Sequence, residues 1–455
     1  MQSLRAWLGE NAAFCDDRLA LERDSLGHAR VAALASIPAT TTVGRIPKSL
    51  VLSHRTSSLS LDDSTRSTLD SLPPARRLVV HVAHELLLGA QSRWHVYLAS
   101  CPAKEVPVAL LWDDGEASTW LQGTQVERER RRIGMNRTRL RDFYTSALPL
   151  LLRQARTTAP SFEVFALAYY LVSSRAFQVD AYHSLALVPL ADVFNHSDPP
   201  HVHFASETWV CPECGKLDRC EHDDAGELVP NADVKIAAED DTCDMVVEQA
   251  IEAGEEVFNT YGQLSNAKLL ASYGFLLEAN EHDAIEFDLD EATESCLPRG
   301  IPSDAFTERY SKFRTLEINI CVDIDNPLLR PTDPADLNID ADGRLSTGLW
   351  CLVLAAAELS AQVSATSLIT VASLAGVVGR MASEKEVAGD EGAGIATRFL
   401  PSVEEVSMHR PDLDAAALLD LAEGTEDTKV RLALQYLAGE RLILERVEQQ
   451  WSDLS

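Results

Sequence analysis

Residues 210–224 read VCPECGKLDRCEHDD, and Cys211, Cys214, Cys220 and His222 place three thiols and one imidazole within twelve residues. Structural zinc takes four such ligands in a tetrahedron, so this spacing predicts a zinc site that is structural rather than catalytic. Gly215 suits it by relieving crowding behind the second thiolate, and Glu213, Glu221, Asp223 and Asp224 add attraction for a cation. Cys243 is an alternative to one of the four ligands, and the competing reading is an acidic loop with incidental thiols. Two other stretches, ADVFNHSDPP (191–200) and FNTYG (258–262), set Asn195, His196 and Tyr261 beside tight turns. Such side chains either hydrogen-bond a polar ligand or brace their own loops, and taken singly both roles stay open. A second Tyr-Gly pair follows twelve residues after the first, with Tyr273 and Phe275 on either side of Gly274.

The elements that must position these residues fall in blocks. Residues 17–52 hold short strand-like runs, LALE, ARVAAL and TTVGRIP, broken by Gly, Pro and Ser. From 64 to 160 apolar residues recur at three- and four-residue spacing, as in ARRLVVHVAHELLLGAQSRWHVYL, which predicts helices. FEVFALAYYLVSSRAF (162–177) is another helix, with Pro160-Ser161 as its start signal. LALVPLADVFNHS (185–197) and VVEQAIEAGEEVFNTYG (246–262) read as strands, the second turning at Gly254. Helical patterns return beyond about 300, and the Pro- and Asp-rich segment 325–344 reads as a linker or loop. Strands, helices, strands and helices in that order predict an α+β fold with a helical block inserted at about 60–160 and another appended.

The 455 residues carry a formal net charge of −30, which argues against nucleic acid as a partner, because phosphates need Lys and Arg. It favours basic partners, or simply keeps the surface solvated. Nine cysteines in a chain of this length do not make a disulfide framework. The N-terminal MQSLRAWLGENAAF lacks the apolar core of a signal peptide. LITVASLAGVVG (368–379) is too short for a membrane span and reads as buried helix. A cytosolic or nuclear protein without membrane contact is the expectation.

Several motifs in order resemble the SET-domain protein methyltransferases, in the branch of the Rubisco large-subunit methyltransferase and its ribosomal-protein relatives. They are WLGENAAF (7–14), IPKSLVLS (46–53), SRWHVYLASCP (92–102), LLWDDGEASTWLQGT (110–124), SSRAF (173–177), PLADVFNHS (189–197) and NTYGQLSNAKLLASYGF (259–275). The resemblance runs over most of the first 290 residues. It implies a SET domain over 1–285, with the insertion at about 60–160 and the Cys-rich loop at 210–244, and a helical substrate-binding lobe over 300–455.

The resemblance also implies an S-adenosylmethionine-dependent protein-lysine N-methyltransferase acting on a non-histone, ribosomal or translation-type protein. Asn195 and His196 would grip the adenosine end of the cofactor, largely through backbone groups. Ser174, Arg175 and Phe177 would line the cofactor and the inner mouth of the lysine channel, and Asp192 would sit close by in that channel. Tyr261 would be the catalytic tyrosine, and Tyr273 and Phe275 would wall the lysine channel. Methyl transfer from a sulfonium is an in-line displacement that needs a neutral amine on axis. An aromatic tunnel and the sulfonium both disfavour the ammonium, so no strong base is required. Histidine as acceptor, or a SET fold serving only as a binding module, are the other readings. Relatives have a Gly-Arg-Gly type of turn where this chain reads GHARVAA (27–33), with His28, Ala29 and Arg30 in the turn. Residues 321–455 hold 23 acidic against 10 basic side chains, which suits a basic target or a solvated face.

Overall fold

The computed structural model describes residues 1–24, 27–102, 107–149, 152, 158–206, 209–217, 220–222, 241–296, 302–316, 329–330, 332–333, 335–352, 355 and 414–453. The fold is α+β. The chain divides into two units, residues 1–111 with 135–263, and residues 112–134 with 264–455. The boundary expected at 285–300 falls inside the second unit, which also takes residues 112–134 of the expected insertion.

The first unit contains β1 (Phe14–Cys15), β2 (Leu19–Arg23), β3 (Ala29–Ala33), β4 (Thr42–Pro47), β5 (Leu52–Ser53), β6 (Ala176–Asp180), β7 (Ser184–Leu187), β8 (Val202–Ser206) and β9 (Thr242–Val247). They form antiparallel sheets of order β1-β4-β9-β8, β2-β3 and β5-β7-β6. Strand β9 reads TCDMVV and buries Cys243, Met245 and Val247, the alternate residues that a period of two directs inward.

The β2–β3 hairpin corrects the reading of GHAR. Arg23 pairs with Ala29, so Ala29 and Arg30 already lie in the strand and only His28 borders the turn. Gly27 takes φ 87°, and the Asp24 carboxylate accepts the His28 N–H at 2.8 Å. Arg30 stands opposite Glu22 and pairs with it at 2.6 Å. A half-exposed cross-strand pair of this kind contributes about 0.5 kcal/mol.

Helices Asp63–Asp70, Pro74–Leu88, His95–Ser100 and Phe162–Arg175 pack in the same unit. The apolar run 75–98 does not make one helix. It breaks at Gly89, whose φ of 52° is left-handed and suits glycine. Ser161 caps helix Phe162–Arg175 by accepting the Val164 N–H at 3.4 Å. That helix stops at Arg175, and Phe177 belongs to β6.

A buried ion group ties these parts together. Lys48 follows β4, is 2 % exposed, and lies 3.0 Å from Asp180 at the end of β6 and 2.8 Å from Asp241 just before β9. Burial works against the Asp180 carboxylate, but the His183 and Lys48 hydrogen bonds outweigh it and hold the pKa at about 2. An unfolded aspartate titrates near about 3.9. A folded value below that means the contribution is complete above the unfolded value and is lost as pH falls toward about 2. Melting temperature should therefore drop across this acid range. The drop should be shallower in Asp180→Asn, which has no carboxylate to titrate there.

The second unit holds helices Asp114–Leu121, Gln125–Ile133, Asn266–Ser272, Leu289–Cys296, Ser303–Leu316, Ala415–Glu423 and Thr428–Asp453. It also holds a small sheet of order β10-β12-β13-β11, from β10 (Ala284–Glu286), β11 (Leu329–Arg330), β12 (Asn338–Asp340) and β13 (Leu345–Ser346). Part of the expected linker 325–344 is thus strand. Ile339 and Leu345 are buried and pair across the β12–β13 hairpin. Gly343 turns it at φ 82°, and the Asp340 carboxylate accepts the backbone N–H groups of Asp342 and Arg344. Gln125 explains why 112–134 belongs here. Its N–H donates to Glu440 at 2.8 Å and its amide oxygen accepts from Glu286 N–H at 3.1 Å. Burial pushes Glu440 up to about 7, with the Gln125 and Tyr436 hydrogen bonds opposing. The helix expected at 368–379 lies outside the described residues. Among the described residues no helix is long and apolar enough to cross a membrane.

Candidate functional site

After β9 the chain is stitched back onto the first unit residue by residue. Ile251 bridges to Ile37, Gly254 turns at φ 92°, and Glu256 bridges to Ala32. The next residues run between two parts of the 194–202 loop. Asn259 N–H donates to Asn195 O at 2.8 Å, and Ser197 N–H donates to Asn259 O at 3.0 Å. His201 and Val202 both donate to Phe258 O, at 2.9 and 3.0 Å. This backbone lattice brings Asn195, His196 and Tyr261 together from distant parts of the sequence.

Their side chains then fix one another. His196 Nδ1 accepts the Tyr261 N–H at 3.1 Å, so that nitrogen carries no proton. The two rings stack with centroids 5.1 Å apart and planes 17° apart. The Tyr261 hydroxyl donates to Phe194 O at 3.1 Å. Gly262 permits the turn at φ 108°, and its N–H donates to Thr260 Oγ1 at 3.0 Å. Asn195 Nδ2 donates to Ala29 O at 3.2 Å and to Glu256 Oε1 at 2.8 Å. Both loop side chains are thus engaged by the protein itself, and a ligand here would meet backbone.

A second group of residues lies in the same unit. Arg175, at the end of its helix, donates to Asp192 O at 2.7 Å and to Asp192 Oδ2 at 3.2 Å. The Tyr97 hydroxyl donates to the same carboxylate oxygen at 2.9 Å. Burial pushes the Asp192 carboxyl up, with Arg175 and the Tyr97 hydroxyl working against it. Burial weighs most against the Arg175 charge, but Asp192 together with Cys101, Tyr170 and Tyr261 outweighs it and holds that pKa above its ordinary value. Ser174 Oγ donates to Tyr170 O at 2.8 Å within its own helix. Phe177 packs against Phe204 with centroids 4.7 Å apart. Tyr273 and Phe275 belong to the second unit, where their rings meet edge to face at 6.3 Å. Burial pushes the Tyr273 hydroxyl up.

The Cys-rich loop also converges. The ligand atoms of Cys211, Cys214, Cys220 and His222 all lie within 4.8 Å of one another. Cys243 is not part of this group. Strand alternation buries it on β9, where its thiol faces Ser206 Oγ at 3.9 Å, and burial pushes its pKa up to about 12. Asp223 and Asp224 lie outside the described residues.

Tyr97, Phe194 and Glu256 have structural roles at this site that were not singled out in the sequence. Tyr97 carried the clearest signal. It lies within SRWHVYLASCP, and a buried tyrosine needs a partner for its hydroxyl.

No protein-family model matches the chain. Ribosomal lysine N-methyltransferase 3 of Saccharomyces cerevisiae is 33% identical over 172 residues, 28% of this chain and 31% of that protein. N-lysine methyltransferase SETD6 of Mus musculus is 27% identical over 244 residues, 50% of this chain and 44% of that protein. The chain thus spans about half or less of the length of these relatives. Among solved structures, the SET domain of LSMT bound to lysine and AdoHcy superposes with a TM-score of 0.60 at 17% identity, covering 99% of this chain and 90% of that one. Rubisco LSMT bound to AdoMet gives a TM-score of 0.56 at 16% identity, covering 99% and 91%. The chain has the SET-domain fold and resembles SET-domain lysine methyltransferases in sequence.

Proposed function

We propose that the protein is an S-adenosylmethionine-dependent protein-lysine N-methyltransferase. The observation that carries this reading is the junction at which Asn195, His196 and the Tyr261 hydroxyl meet on a SET-domain fold. The residues there suit a polar cosubstrate. Arg175 Nε, Asp192 Oδ1 and both amide ends of Asn259 are buried with no partner among the described residues. Buried polar groups are normally satisfied, so a polar ligand or bound water fits this lining. When bound, S-adenosylmethionine supplies an electrophilic methyl group on a sulfonium.

The chain's own residues do the positioning. The backbone at Asn195 and His196 would hold the adenosine end, with Ser174, Arg175 and Phe177 along its length and Asp192 close by. Because the Tyr261 hydroxyl gives its proton to Phe194 O, its oxygen lone pairs remain as acceptors for an incoming amine. A fixed acceptor of that kind orients the nucleophile without moving during the reaction. In a desolvated channel an amine pKa falls from about 10.4 toward neutrality. A net charge of −30 favours a basic protein substrate. The name of the yeast relative supports a ribosomal or translation-type protein as substrate, and the cytoplasm or nucleus would be where such a substrate is met.

The test is to titrate the protein with S-adenosylmethionine by calorimetry. It is then incubated with tritiated cofactor and an extract lacking this protein, and the labelled residue is identified by mass spectrometry. We expect saturable binding and label on a lysine. Label on a histidine would replace the acceptor. Binding without label in any extract would favour a scaffold, in keeping with the altered residues beside the β2–β3 turn.

A further inference from the structure

We propose that Cys211, Cys214, Cys220 and His222 hold one tetrahedral zinc ion, and that this ion staples the long β8–β9 connection onto the β6–β7 turn. The inference rests on the first unit alone and does not depend on the proposed methyltransferase activity.

The distances carry it. With Zn–S near about 2.3 Å and Zn–N near about 2.05 Å, a tetrahedral site sets sulfur and nitrogen about 3.6 Å apart and two sulfurs about 3.8 Å apart. His222 Nδ1 lies 3.6 Å from Cys220 Sγ and 3.8 Å from Cys211 Sγ. All four ligand atoms fall within a 4.8 Å span. No disulfide joins any two of these three cysteines. Three sulfurs and one imidazole form a soft donor set, which selects zinc over calcium or magnesium.

The backbone is already shaped around the site. Gly215 N–H donates to Cys211 O at 2.8 Å, and Cys211 N–H donates to Lys216 O at 2.9 Å. This closes a tight turn that holds the thiols of Cys211 and Cys214 on one side. Gly215 takes φ 75°, and a Cβ there would come within 2.8 Å of the Tyr182 ring. Glycine is therefore needed twice, for the turn and for the close approach. Tyr182 sits in the turn between β6 and β7, its N–H donating to Asp180 Oδ1 at 3.0 Å. Arg55 completes the attachment. Its guanidinium lies 4.8 Å from the Tyr182 ring centroid and donates to Pro212 O at 3.1 Å. An ion binding the four ligands would fix this turn where it rests on Tyr182, and so brace the hairpin that carries Phe177.

The test uses the full chain purified under reducing conditions without chelator. Elemental analysis should give one zinc per chain. Replacement by cobalt(II) should give the intense visible bands of a tetrahedral thiolate site. Cys214→Ser with His222→Ala should lose the metal and lower the melting temperature, and chelator should lower that of the parent but not of the double variant. A reduced, folded parent that takes up no zinc when supplied with it would overturn the proposal. So would equal zinc content in the double variant, or an octahedral cobalt spectrum.

Discussion

Tyr261→Phe should lower methyl transfer by about 10²–10³-fold, the scale for removing one preorganised polar group at a reacting centre. The substitution is narrow. The ring can keep its stacking on His196, and the backbone N–H of residue 261 can still donate to His196 Nδ1. What disappears is the hydroxyl and its bond to Phe194 O. Loss of one partially exposed hydrogen bond costs about 1 kcal/mol or less, so the fold should persist. Affinity for S-adenosylmethionine should also persist, because Asn195 and the backbone lattice are untouched. Single-turnover assays and calorimetry on the same preparation separate the two effects. Turnover within a few-fold of the parent would remove Tyr261 from the reaction. A collapse in cofactor affinity would make it a binding residue instead.

Lys48→Ala should be strongly destabilising. It leaves Asp180, with a side chain 1% exposed, facing Asp241 with no cation between them. Removing one partner of a buried ion group costs about 3–5 kcal/mol, because the remaining charge stays desolvated. Asp241 is 26% exposed on its side chain and can recover some hydration, so the lower end of that range is expected. Folded domains have only about 5–15 kcal/mol in reserve. Urea titration followed by tryptophan fluorescence should show a clear fall in midpoint. A loss under about 1 kcal/mol would mean the three charges are far better solvated than their burial implies.

What was legible in the sequence and what was not divides by range. The strands LALE, ARVAAL and TTVGRIP and the helix opened by Ser161 depend on neighbours in the chain, and the structure places them at β2, β3, β4 and Phe162–Arg175. The α+β class follows from their order. The meeting of Asn195, His196 and Tyr261 depended on recognising motifs together, since neither loop alone indicates the other. Tyr97 reaching Asp192 is a tertiary pairing that no local pattern announces. Two misreadings had a local signal that was outweighed. Asp342-Gly343 between Ile339 and Leu345 is a hairpin signal, hidden by the Pro and Asp around it. Cys243 lies close to the Cys-rich loop in sequence, which suggests a metal ligand, but the alternation of TCDMVV directs it inward with Met245 and Val247.

The lattice joining Asn259 to Asn195 and Ser197 has a consequence for biosynthesis. A nascent chain emerging from the ribosome would display the Asn195-His196 loop well before the segment that completes it. Until residues 258–261 arrive and dock between Phe194 and Val202, that loop lacks the backbone partners at Phe258 and Asn259 and the Tyr261 hydroxyl. Joining points so distant in sequence must also overcome the entropy of closing the intervening loop. If the chain is the methyltransferase proposed, incomplete translation products would be inactive, and competence would come late, when a short returning segment locks into place.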